Sequence, residues 1–152
     1  MEAERRMLST AELEVIWDRL QELVDTEGST IVKRCGSVEL AVRRLAALSV
    51  SQRVVIFYDK GLFIGITIFD VISEWWSNSK FLVEHLVLCV DPDYKGFARV
   101  AIDELERLGK EFGVEAIVAG CAFNKNSQLV TNSYKKKGFT IVCPNYIKML
   151  KG

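Results

Sequence analysis

The sequence predicts an α/β (α+β) fold, a central sheet with helices on its faces. Three observations carry this. Apolar residues recur at helical spacing through the first fifty residues, and β-branched and aromatic runs take over from Arg53. The order of segments is then helix, helix, three strands, helix, strand, helix, two strands. At 152 residues the chain fits a single domain, 1–152, with a helical part over 1–50 and the sheet over 52–151.

The elements follow in order. S-T-A-E from Ser9 is a capping-box pattern, and Leu13, Ile16, Trp17, Leu20, Leu23 and Val24 continue a helical stripe to Gly28. T-I-V-K-R from Thr30 predicts a short strand. Ser37 caps a second helix with an apolar face of Leu40, Ala41, Leu45 and Leu48, ending before Ser49. V-V-I-F-Y, the turn D-K-G and L-F-I-G-I-T-I-F-D-V-I form a β-hairpin pattern. S-E-W-W-S-N-S-K breaks the run, and F-L-V-E-H-L-V-L-C-V is apolar enough for a central strand covered on both faces. Ala98, Ala101, Ile102, Leu105, Leu108 and Phe112 stripe a helix that Gly113 ends. E-A-I-V-A-G-C-A-F predicts another buried strand, and N-S-Q-L-V-T-N-S-Y-K-K-K-G a short helix. F-T-I-V-C, a turn at Pro144-Asn145 and Y-I-K-M-L predict the last two strands.

Twenty basic and twenty acidic side chains cancel, which disfavours nucleic acid and anionic membranes as partners. No apolar run is long enough to cross a bilayer, and the N-terminal residues carry no signal-like apolar core, so a cytoplasmic protein is expected. Cys35, Cys89, Cys121 and Cys143 form no C-x-x-C pair and are expected as reduced, buried thiols. With one histidine, His85, no metal site is expected.

Three segments carry candidate chemistry. V-D-P-D-Y-K-G-F-A, from Val90, runs from a strand into a helix N-terminus, where unpaired N–H groups and the helix dipole favour an anion. The other reading is a plain turn capped by Asp91 or Asp93. Glu84 and His85 are the only ionisable residues in their apolar strand and face opposite sides of it. A carboxylate there acquires the raised pKa of a general base, unless it pairs with a basic side chain at the surface. Tyr134, on the short helix, is either a proton donor to a leaving thiolate or an amphipathic packing residue. Glu84 stands six residues before Val90, roughly 20 Å along a strand. Phosphates at the turn and chemistry at Glu84 therefore call for a long, thin ligand such as an extended pantetheine arm.

Together the segments resemble the GNAT family of acyl-CoA-dependent N-acyltransferases. Its signature, V-x-P-x-x-(Q or R)-x-x-G-x-(G or A), aligns with V90-D91-P92-D93-Y94-K95-G96-F97-A98-R99-V100, with Lys95 as the basic residue and Ala98 and Val100 at the small positions. Its C-terminal F-Y-x-x-x-G-F is similar to S133-Y134-K135-K136-K137-G138-F139. The order of elements from Arg53 to Leu150 also resembles the family's, over about two-thirds of the chain. The tract W75-W76 through D91-P92 is similar to small GNAT proteins of tailed phages, which would place the protein in a host cytoplasm.

The resemblance implies a mixed, mostly antiparallel sheet with splayed central strands, and acetyl-CoA as co-substrate. The cofactor site would comprise Leu88, Cys89 and Val90 on the strand edge, residues Lys95, Gly96, Phe97, Ala98, Arg99 and Val100 at the pyrophosphate, and Asn126 at the pantetheine arm. Glu84 would be the base and Tyr134 the acid, with a backbone N–H near Leu88 polarising the thioester carbonyl. Trp75, Trp76 and His85 would face the acceptor, a primary amine on a small molecule or protein. The two tryptophans have a second reading as a dimer contact or sheet cover, and His85 as a substitute base or a core residue. The protein would work as a monomer or homodimer. A rival keeps the fold and drops the reaction: a non-enzymatic interaction or regulatory protein, with or without bound CoA.

Overall fold

The computed structural model describes residues 1–26, 30–120, 127–142 and 148–151. Strand β1 (Glu2–Glu4) leads into helices α1 (Thr10–Thr26), α2 (Thr30–Cys35) and α3 (Val38–Val50). Strands β2 (Val54–Asp59), β3 (Leu62–Ile72) and β4 (Phe81–Cys89) follow, then α4 (Phe97–Phe112), β5 (Ala116–Val118) and α5 (Ser127–Lys136). The sheet has the order β1-β2-β3-β4-β5, antiparallel except for the parallel β4–β5 pair.

Local chemistry explains the boundaries. At the start of α1 the Ser9 hydroxyl accepts from the Glu12 N–H at 3.1 Å, and the Glu12 carboxylate accepts from the Ser9 N–H at 2.8 Å, a complete capping box. Ser37 accepts from the Leu40 N–H and starts α3. Lys60 and Gly61 both have positive φ, 50° and 77°, as a type I′ hairpin turn requires. Gly113, with φ 65°, ends α4.

Two apolar layers sandwich the sheet. Ile16, Leu20, Leu23 and Leu45 of α1 and α3 cover Val54, Ile56, Ile66 and Leu88. Phe97, Ala101, Leu105 and Leu108 of α4 cover Val55, Phe57, Phe69 and Leu82 on the other face. Strand alternation makes this possible, since Val54 and Ile56 face one layer and Val55 and Phe57 the other. The position of α4 depends on Gly65, because a Cβ there would collide with the Phe97 ring and the Leu88 carbonyl. Phe97 uses the space to meet Phe57 edge-on at 5.3 Å.

The structure corrects several sequence expectations. Thr30–Cys35 is helical, and the opening strand is instead Glu2–Glu4, paired antiparallel with β2. All three residues of that strand are exposed, so no apolar pattern marks it. Glu12 holds the segment behind it. Arg6 donates to both Glu12 oxygens at 2.8 and 2.9 Å and to Glu4 at 2.9 Å, while the Tyr58 hydroxyl donates to Glu12 at 2.5 Å. Helix α3 runs through Ser49, which is buried and accepts from the Leu8 N–H, whereas Leu40 is exposed. Strand β5 is a short edge with Ala116 and Val118 exposed, not a long buried strand. Residues 139–142 and 148–150 are not strands. Ile141 and Val142 are largely exposed, and they line a cleft rather than extending the sheet. Cys35 is exposed and Cys89 half-buried, both unpaired thiols. Cys121, Cys143 and the Pro144-Asn145 turn lie outside the described residues.

Burial pushes the Glu12 carboxyl up, but hydrogen bonds from Arg6, Ser9 and Tyr58 outweigh it and hold the group at about 2. Glu12→Ala is expected to lower the unfolding free energy by about 2–3 kcal/mol, read as a lower urea midpoint. Because folding favours the ionised form, this contribution is complete above about pH 4.5 and is lost as pH falls towards about 2, so the variant's stability should vary less over that range. Gly65→Ala is expected to cost about 1–3 kcal/mol by forcing Phe97 off the sheet, measured in the same denaturation series.

Candidate active site

The β4–β5 ladder is three pairs long: Phe81 with Ala116, Leu82 with Ile117 and Val83 with Val118. Beyond Val83 the strands part, and the next residue of β4 is Glu84. A bulge shapes this point. Ile68 pairs with Leu86 but Phe69 pairs with Glu84, which leaves His85 as the extra residue. The bulge resets the alternation of β4. Leu82 packs on the α4 side, Leu86 and Leu88 on the α1 and α3 side. Glu84 is buried and His85 exposed.

Glu84 bridges the gap. Its Oε2 accepts from the Gly120 N–H at 3.1 Å and from the Tyr134 hydroxyl at 2.8 Å. Glu84 and Tyr134 are only 6% and 8% exposed, so this is a carboxylate–phenol pair removed from solvent. Burial pushes the Glu84 pKa up, and the hydrogen bonds from Tyr134 and Gly120 and the nearby His85 only partly offset it. Tyr134 is held in place by the end of α5. The Phe139 N–H returns to the Tyr134 carbonyl at 3.1 Å, and the two rings meet edge-on at 5.0 Å. A buried carboxyl raised towards neutrality and touching a phenol can take up a proton and pass one on.

At the far end of β4, Gly96 has φ 84° and provides no side-chain cap to α4. Among the described residues no side chain caps the first-turn amides of α4, as an anion site at a helix N-terminus requires. An added Cβ at Gly96 would meet nothing within 4 Å, so the turn is open in front of the backbone. Lys95 and Arg99 are exposed beside it, Ala98 is half-buried, and Val100 packs on the α4 core. The Tyr94 hydroxyl ties the turn to the hairpin by donating to Asp59 at 3.0 Å. Asp91 accepts from the Asp93 N–H and so caps the turn itself, as the plain-turn reading expects, while the residue at the N-cap of α4 is Gly96.

The edge of β4 between these two points is only partly open. The Val90 N–H donates to the Ile64 carbonyl at 2.9 Å and Leu88 pairs with Ile66, so both residues face β3. Alternation turns the N–H groups of Val87 and Cys89 towards the gap. Arg19 reaches over from α1 and its Nε donates to the Cys89 carbonyl at 3.0 Å. Sequence reasoning missed this arginine, although it falls within the apolar stripe of α1 between Ile16 and Leu23. It also missed Gly120, whose role depends on where a ladder ends. Asn126 lies outside the described residues.

At the Phe81 end of β4 a cleft of about 600 Å³ opens beside Gly120 and Tyr134. Trp76 lines it, with its ring 5.8 Å from that of Phe81. Trp75 is 93% exposed and outside the cleft, and His85 is exposed on the bulge. Among the described residues, no helix is long and apolar enough to cross a membrane, and no cluster of metal-ligating side chains occurs.

No protein-family profile and no curated protein sequence matches the chain. Solved structures do. A ribosomal-protein-alanine N-acetyltransferase from Brucella melitensis biovar Abortus 2308 aligns with a TM-score of 0.67 at 12% identity, over 99% of this chain and 100% of the other. An aminoglycoside 6'-N-acetyltransferase from Acinetobacter haemolyticus aligns at 0.65 and 13% identity, over 99% of each chain. A protein from Clostridium acetobutylicum described as a predicted acetyltransferase, solved with acetyl-CoA, aligns at 0.59 and 16% identity, over 97% of this chain and 96% of the other. The chain therefore has a GNAT-like fold, a mixed and mostly antiparallel sheet with helices on both faces.

Proposed function

We propose that the protein is an acyl-CoA-dependent N-acyltransferase that transfers an acetyl group from acetyl-CoA to a primary amine by direct attack. The observation that carries this is the buried Glu84–Tyr134 pair at the point where β4 and β5 part. It lies between an uncapped helix N-terminus at one end of β4 and a cleft at the other. The amides of residues 95 to 100, with Lys95 and Arg99, would hold the pyrophosphate. The N–H groups of Val87 and Cys89 would meet the pantetheine arm, and acetyl-CoA supplies a thioester that a neutral amine can attack.

In this reading Glu84 takes the proton that the amine gives up. Tyr134 gives its hydroxyl proton to the departing thiolate and recovers one from Glu84, which it already contacts at 2.8 Å. One proton leaves the nitrogen and one reaches the sulfur, and the pair ends as it began. The arrangement needs no proton from bulk water.

One observation favours the rival reading, an interaction protein with this fold and no reaction. The site is satisfied internally, with Glu84 engaged by Tyr134 and Gly120 and the Cys89 carbonyl engaged by Arg19. Native mass spectrometry with acetyl-CoA, followed by an assay for acetylated amine, separates the two, since a rival that binds CoA would gain mass without turnover. The acyltransferase should gain the mass of acetyl-CoA, and no gain at high cofactor concentration would eliminate it.

Glu84→Gln keeps an acceptor for Tyr134 and Gly120 but takes no proton, so kcat should fall about 10²- to 10⁴-fold with acetyl-CoA affinity little changed. Wild-type activity should rise with pH through an ionisation above the ordinary carboxylate range, as Glu84 deprotonates, and that limb should vanish in the glutamine variant. Stability should run the opposite way. Folding favours the protonated form of Glu84, so stability falls as pH rises through the same window. Tyr134→Phe should slow turnover at least about ten-fold in stopped assays while the cofactor still binds; unchanged turnover in both variants refutes the assigned roles.

A further inference from the structure

Resting on that acyl-transfer reading, we infer that the acceptor is a small primary amine carried on an aromatic or branched apolar body, seated in the cleft between Trp76 and Tyr134. The position of the cleft on β4 comes first. That strand has the α4 N-terminus at its Cys89 end and the cleft at its Phe81 end, with Glu84 between them. A phosphate-bearing donor drawn to α4 therefore approaches Glu84 from one side, and the cleft is left for the second substrate.

The walls then define its chemistry. Trp76 and Phe81 form one aromatic pair beside the loop before β4, and Tyr134 and Phe139 form another beside α5. Ile141 and Val118 add branched apolar surface, 70% and 52% exposed, for a ligand to cover. A cavity of about 600 Å³ is the size of a small-molecule site. Charge argues the same way. The described lining residues include one carboxylate, Glu74, and one ammonium, Lys135. One ammonium group finds a counter-charge in that wall. A polyamine or an aminoglycoside, with several, finds one carboxylate and a lysine that repels it. Glu84 and Tyr134 then stand where the amine of an apolar acceptor would project.

The test uses the full chain with 2-phenylethylamine, spermidine and a short peptide with a free amino terminus. Each is measured as an acetyl acceptor and, separately, as a ligand by calorimetry without acetyl-CoA. The expected result is a kcat/KM at least about ten-fold higher for 2-phenylethylamine than for spermidine or the peptide. Trp76→Ala should raise the KM for 2-phenylethylamine about ten-fold and leave kcat largely unchanged, and Trp76→Phe should restore most of the loss. Calorimetry should show the same loss and rescue. Preference for spermidine or the peptide, or indifference to Trp76→Ala, overturns the inference while leaving acetyl transfer in place. If no amine is acetylated but 2-phenylethylamine binds and Trp76→Ala weakens it, the cleft's selectivity stands and the acyl-transfer reading fails. Absence of both turnover and binding of 2-phenylethylamine overturns the inference as well.

Discussion

The sheet parts after Val83, and the site follows from that break. Two parallel strands that separate leave backbone N–H and C=O groups facing each other across a gap too wide to hydrogen-bond, and such groups cannot be buried without partners. Glu84 supplies one. A side-chain oxygen takes the Gly120 N–H that a strand carbonyl would otherwise take, and the same oxygen receives the Tyr134 hydroxyl. The bulge at His85 makes this possible, since it brings Glu84 to the α4 and α5 side while keeping Leu86 and Leu88 in the opposite core. The carboxylate thus closes a structural gap with a group that can also titrate.

Two other polar clusters mark the difference between structure and chemistry. Around Glu12, an arginine, a tyrosine and a backbone N–H all stabilise the ionised form, and a carboxyl held at about 2 has no proton to exchange near neutrality. Among the described residues Glu84 has no arginine in contact and accepts from neutral donors, so burial prevails and its pKa moves the other way. At the start of α4 the omission is of a different kind. Phe97 is fixed over Gly65 and Tyr94 is tied to Asp59, so the helix N-terminus is anchored firmly while, among the described residues, no side chain caps its first-turn amides.

Much of this was legible in the amino acids. The capping box, the I′ turn, the hairpin and the stripe of α4 are all local signals, and each is where its residues demand. Glu84 and Tyr134 stood out because a carboxylate in an apolar strand and a tyrosine before K-K-K-G-F are unusual contexts; their contact with each other was not readable, being a matter of tertiary geometry. Other features carried no local signal. Strand β1 is three exposed residues held by pairing and by the Arg6–Glu12 network, and Thr30–Cys35 has β-branched residues yet forms a helix. The short β5 looked like a long buried strand because its apolar residues line a cleft as readily as they fill a core. Arg19 was hidden for the same reason, a charged residue inside an apolar stripe whose partner is a carbonyl 70 positions away.

That arginine links the two faces of the sheet. Arg19 belongs to α1, which packs on the side opposite α4, yet its guanidinium holds the Cys89 carbonyl at the end of β4. A ligand strand laid along the gap would compete for that carbonyl, and a shift of α1 would release it. The two events would then be coupled through a single charge-assisted hydrogen bond, worth on the order of 1.5–3 kcal/mol at most, and the coupling would be reciprocal. Whatever displaced α1 would alter occupancy of the β4 edge by the same factor as occupancy of the edge would alter the freedom of α1.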